Sequence, residues 1–184
     1  MEKDKLKRLK IIICLIIIVV SLVTGIRLLV FFREIKLPTL NYTNSEYLYA
    51  FDKLYKDFDF NMPSKTKQEY KEQLENELNF KHYIYFERNP NFNGWQNVVI
   101  PTIIINEELS EYDYCRILTH EIMHFKKFSA NETYVSFETF KYLYENECEY
   151  LHNVGVLYGI NQVYNHSGGE YDISGLIVNY LTNN

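Results

Sequence analysis

Residues 11–26 form an uninterrupted apolar run whose only small or polar members are Ser21, Thr24 and Gly25, and residues 28–32 extend it past Arg27. With Arg27 snorkelling toward headgroups, the span is about 20–22 residues, enough to cross about 30 Å of hydrocarbon. It reads as one transmembrane helix. Lys3, Lys5, Lys7, Arg8 and Lys10 precede it, which places the N-terminus in the cytoplasm and residues from about Glu34 onward outside. A cleaved signal peptide is the competing reading, but no A-x-A-like site follows. Cys14 follows Ile13, whereas a lipoprotein site needs a small residue there. The expected organisation is a basic cytoplasmic tail (1–10), a transmembrane helix (11–32), a juxtamembrane linker (33–43) and an extracytoplasmic domain (44–184). That is a single-pass protein of the cell membrane.

Within the domain, His120-Glu121-Ile122-Met123-His124 is the segment richest in chemistry. Positions four apart on an α-helix lie one above the other, so both imidazoles point into one small volume. Ile117, Leu118, Ile122, Met123 and Phe125 surround them, so the helix reads as buried and leaves only its His/Glu face for polar work. Two imidazoles are half of a zinc shell. Zinc takes neutral imidazole nitrogens at about 2.0–2.1 Å in tetrahedral geometry, and a catalytic site keeps three protein ligands and one open place. Glu121 follows His120 directly and can reach a water in that place as general base.

Four glutamates compete for the third position: Glu132, Glu138, Glu145 and Glu147. Ser129, Ala130 and Asn131 separate the motif helix from a second periodic segment, with Asn131 as N-cap and Glu132 in its first turn. This reads as a tight helical hairpin. If the chain folds back near 128–129, Glu132 or Thr133 falls opposite His124 and Glu138 nearer His120, whereas Glu145 lies roughly 18 Å further along at 1.5 Å per residue. Glu132 is therefore the favoured ligand, with Glu138 and Glu145 as alternatives. Phe137, Phe140, Tyr144, Cys148 and Leu151 form one apolar stripe; Glu138, Glu145 and Glu149 face away from it, and Glu147 flanks it as a candidate buried acid.

The segment from Leu118 to Phe125 resembles the extended HExxH signature of the zincin metallopeptidases, with Lys126 departing from the uncharged residue expected last. The likeness covers residues 103–151. The stretch with Asn131, Glu132, Phe137, Phe140 and Leu143-Tyr144-Glu145 is similar to that of small membrane-anchored zincin-like proteins of bacteria. The metzincin form is excluded, because its third histidine would fall on Ala130. The thermolysin-like, or gluzincin, arrangement puts its glutamate close to Glu145 and keeps that residue open.

The resemblance implies an α+β zincin-like domain with a small sheet beside the HExxH helix and an edge strand that aligns a peptide substrate. It implies zinc held by His120 and His124, with Glu121 polarising the attacking water for peptide-bond hydrolysis. Zincins often place a His or Tyr against the oxyanion; His166, Tyr158 and Tyr171 are the late candidates. The alternative function is a membrane-tethered zinc-binding or sensor domain without hydrolysis, and a purely structural anchored protein is a third.

About 150 residues outside the membrane suffice for one domain burying roughly 68–70% of its unfolded surface. Seven of the 19 basic and two of the 24 acidic residues lie in 1–33, leaving 12 against 22. So acidic a domain, with no basic stripe, excludes a nucleic-acid partner. Cys115 and Cys148 are the only conceivable bridge in it, and both read as small apolar core residues. The abundance of Ile, Asn, Lys and Tyr points to an AT-rich bacterial genome.

Thr43-Asn44-Ser45-Glu46 offers a capping box for a helix over 45–59. Asn61, Met62 and Pro63 break the chain, and an exposed helix follows over 64–80. Residues 82–88 alternate as a strand, 89–96 read as a loop or hairpin turn, and 97–106 are a β-branched run in which Pro101 suits an edge strand. Helical character runs through 153–163, a turn-rich loop covers 165–170, and Asp172 or Ser174 caps a last helix. His82 and His152 read as packing or surface histidines.

Overall fold

The computed structural model describes residues 2–60, 65–80, 83–88, 91–166 and 172–184, with side chains from Lys5 onward. The expected break at Asn61, Met62 and Pro63, His82, the Asn89 and Pro90 end of the loop, residues 167–170 and Tyr171 lie outside them.

Helix α1 (Glu2–Phe31) takes in the basic tail as well as the apolar run. Its Lys5–Phe31 portion has a mean hydropathy of 2.9 in its most apolar stretch, none of it buried by the rest of the protein, so the helix is long and apolar enough to cross a membrane. Only the last residue of α1 is embedded in the domain: Phe31 is buried and stacks edge-on against Phe128 at 5.6 Å between ring centroids.

The domain is mostly helical, with one small sheet. Helices α2 (Asn44–Lys56) and α3 (Lys67–Glu77) both start on capping boxes, Thr43 with Glu46 and Thr66 with Glu69. The second box was not anticipated, and it explains why α3 starts later than 64. Strands β1 (Tyr83–Glu87), β2 (Gly94–Asn97) and β3 (Thr102–Asn106) form a sheet of order β1-β3-β2, in which β1 runs parallel and β2 antiparallel to β3. Residues 97–106 are thus not one edge strand. Residues 98–101 turn the chain back, and the run after Pro101 becomes the central strand. Pro101 still escapes the ladder, sitting in the turn and lending only its carbonyl, to the Tyr83 amide at 3.3 Å. The edge beside the motif helix is β2.

Four helices follow: α4 (Glu111–Lys127), α5 (Glu132–Glu145), α6 (Glu149–Tyr164) and α7 (Ser174–Asn183). Ser110 caps α4 and Asn131 caps α5, the latter by accepting from the Tyr134 amide at 2.8 Å. The Asp172 carboxylate accepts from the Ser174 amide at 2.9 Å ahead of α7. The apolar stripe expected from Phe137 through Leu151 is interrupted, because α5 ends at Glu145 and a new helix begins at Glu149. Glu147 sits in that break, exposed, and is not a buried acid.

Two adjoining cores hold the domain. In the first, Ile103 and Ile105 of β3 and Tyr70 and Leu74 of α3 close on Leu118 and Ile122 of α4. In the second, α2, α6 and α7 pack around Phe140, Ile177 and Val178. Helices α5 and α6 touch at Gly155, where an added Cβ would lie 2.4 Å from the Tyr144 nitrogen. The three cysteines are free thiols, with Cys115 buried.

Candidate metal centre

Helix α4 delivers His120 and His124 on one face, as i,i+4 spacing dictates, while Leu118 and Ile122 fix the opposite face in the core. At its C-terminal end Phe128 takes a left-handed conformation (φ 47, ψ 56), an uncommon one for an aromatic residue. That reversal drops the Ser129 carbonyl against His124 Nδ1 at 2.7 Å. A carbonyl only accepts, so Nδ1 carries a proton; in the neutral ring Nε2 then has the lone pair a cation needs, and in the protonated ring it donates to Glu132.

The turn then starts α5 at once, and Glu132 in its first turn reaches back over α4. His120 Nε2 lies 3.0 Å from Glu132 Oε2, His124 Nε2 lies 3.4 Å from Glu132 Oε1, and the two Nε2 atoms are 3.1 Å apart. A tetrahedral ion with bonds of about 2.0–2.1 Å spaces its ligands about 3.3–3.4 Å from one another. Two imidazoles and one carboxylate converging at 3.0–3.4 Å, close to that spacing, could hold a metal ion, and among the described residues they are the one group of three or more such side chains that could. The Glu132 choice agrees with this geometry. Glu138 is instead engaged by Lys127 and Lys141, and Glu145 accepts from the Tyr180 hydroxyl at the far end of α5.

His120 and Glu132 line a cleft of about 410 Å³ together with Glu121, Gly94, Arg116, Ser136 and Tyr158, and His124 is buried behind them. Glu121 is 7% exposed, and burial pushes its carboxyl up to about 7, with His124 pulling it down and Glu132 up. Burial also tends to raise Glu132, but hydrogen bonds from His120 and His124 outweigh it and bring that group down to about 2. Burial lowers His120 despite its bond to Glu132. In His124 burial acts in the same sense, but the bonds to Glu132 and Ser129 outweigh it and raise the group. Strand β2 passes so close to α4 that a Cβ on Gly94 would lie 2.6 Å from Ile117 Cγ2 and 2.9 Å from Glu121 Oε1. Only glycine fits.

Of the three oxyanion candidates, Tyr158 lies in the cleft, buried, with the Arg116 guanidinium 5.4 Å from its ring centroid. Its hydroxyl is shifted upward by burial, against the pull of Ser136 and Arg116. His166 is elsewhere: it stacks on Tyr47 at 4.4 Å and lines a separate groove between α2 and α6. Its loop follows α6 on the side facing α2, a placement that spacing along the chain does not reveal. Tyr171 lies outside the described residues. His152, as expected, is a packing residue, its Nδ1 2.6 Å from the Tyr144 carbonyl.

Sequence reasoning missed Arg116, Gly94, Asn93, Ser136 and Gln162. Arg116 carried a usable signal, four residues before His120 on the same helical face. Ser136 likewise stands four residues after Glu132. Nothing local marked Asn93, Gly94 or Gln162, which are brought in by tertiary packing.

The chain matches no family model, no curated protein and no solved structure in comparisons with each. The chemistry of the cleft is therefore taken from its own donors.

Proposed function

We propose that the protein is a membrane-anchored zinc metallopeptidase of the zincin type that hydrolyses peptide bonds in this cleft. The observation that carries the reading is the convergence of the His120, His124 and Glu132 donors, two of them lining a cleft that also holds the buried Glu121 carboxyl. When bound, zinc polarises a carbonyl as Lewis acid and brings the pKa of a water toward about 7.

Glu121 is the general base. It takes the proton as the water oxygen bonds to the carbonyl carbon, and returns it to the amine nitrogen as the C–N bond breaks. One carboxylate can serve both steps. Tyr158, held protonated by burial, is the donor for the carbonyl oxygen as it gains charge. Strand β2 is an edge of the sheet along the cleft, where an extended peptide can add as a further strand.

Glu121→Gln tests the assignment: zinc content should stay at the wild-type level while hydrolysis of a peptide library is lost. Activity persisting in that variant would remove Glu121 from the mechanism. A wild type that binds zinc yet cleaves nothing in the library would favour a zinc-binding sensor domain.

A further inference from the structure

The turn joining β2 to β3 lies against the membrane helix. Thr24, Arg27 and Leu28 of α1 share a small cleft with Val98, Val99 and Phe128. With Ile11 at one boundary, about 30 Å of hydrocarbon at 1.5 Å per residue ends near Val30, so residues 24–28 lie roughly 3–9 Å beneath the surface where α1 leaves the bilayer. We propose that residues 98–100 dip into that same leaflet beside α1, a second membrane contact that seats the cleft against the bilayer surface.

Three further observations carry this. Val99 and Ile100 are 55% and 63% exposed, and Val99 shares its cleft with Leu28 of α1, the helix that also exposes Leu29. From residue 89 to 106 the sequence contains no charged residue, in a domain otherwise rich in acids. Finally, non-helical backbone near hydrocarbon carries a cost for every N–H and C=O left unpaired, and two of the turn's amides have a partner. Asn97 Oδ1 accepts from the amides of both Val99 and Ile100, at 3.0 and 3.1 Å. Trp95, the single tryptophan, is half exposed four residues before Val99, at most about 13 Å along the strand, within reach of the headgroup layer that suits its ring.

The candidate centre is close to the same surface, since the His124 ring lies 6.4 Å from that of Phe31, where α1 ends. The proposal rests on α1 spanning the bilayer and is independent of whether the cleft hydrolyses peptides.

Full-length Val99→Trp and Ile100→Trp chains, each with Trp95→Phe, are reconstituted in vesicles whose lipids carry bromine on the acyl chain. Leu29→Trp with Trp95→Phe serves as the reference on α1. Loss of emission at positions 99 and 100 comparable to that at 29 is the expected result. Emission quenched at 29 but unaffected at 99 and 100 would overturn the proposal. Blue-shifted emission at 99 without quenching would overturn it too, because a protein and not lipid would then cover the turn. Absence of quenching at all three positions would overturn the membrane-spanning reading along with it.

Discussion

Glu121 illustrates how a single buried carboxyl leaves a measurable trace without any substrate. Its ordinary value is 4.5 and its folded value about 7. As pH rises between those two, the unfolded chain releases the proton first, so the metal-free protein loses stability across that window and no further above it. At 1.36 kcal/mol per pH unit the loss approaches about 3 kcal/mol. Metal-free Glu121→Gln should therefore gain on the wild type by that order between pH 4.5 and 7 in chemical denaturation, and a difference that does not change with pH would contradict the burial argument. Glu132→Ala should weaken zinc on the order of 100-fold or more, whereas Glu138→Ala, whose partner is Lys127, should leave affinity unchanged. Tyr158→Phe should cost on the order of 100-fold in turnover with zinc content intact; a loss of zinc instead would mean that the hydroxyl serves the metal site.

Elements determine how near these residues come to one another, and glycines mark the closest approaches. Gly155 is where α6 crosses α5, and its added Cβ would strike backbone, which cannot yield as a flexible side chain does. Gly155→Ala should cost about 3 kcal/mol or more in unfolding free energy, and a cost near zero would show that the two helices can part. The helical hairpin was legible because its signals are local: the i,i+4 histidines, the Asn131 cap and Glu132 one turn beyond it all lie within one short stretch. Its geometry follows almost entirely from them. The sheet was less legible. The run 97–106 has the composition of one strand, and only the Asn97 side chain, gathering two amides of the next residues, turns it into a hairpin. Register with β1 is a long-range pairing that local pattern does not specify. The oxyanion candidates divided on the same ground, Tyr158 entering the cleft and His166 stacking on α2.

On the scale of the whole molecule, α1 and the candidate centre are mechanically joined. The Ala130 amide donates to the Phe31 carbonyl at 2.9 Å and Asn131 Nδ2 to that of Ile35 at 3.3 Å, so the turn that positions Glu132 is also the landing site of α1. If α1 spans a bilayer and the cleft takes peptides, as proposed, substrate at the membrane surface is met first. Hydrolysis of a peptide tethered to the vesicle surface by a lipid should exceed that of the same peptide in solution at equal bulk concentration, and equal rates would contradict a surface-held site. The proposed three-donor zinc site is tested by metal content, measured by mass spectrometry on the full-length protein beside its His124→Ala and Glu132→Ala variants. One zinc ion per wild-type chain, lost from His124→Ala and depleted in Glu132→Ala, is the predicted result. A wild type free of zinc after chelator-free purification, or variants that retain it fully, would contradict the account.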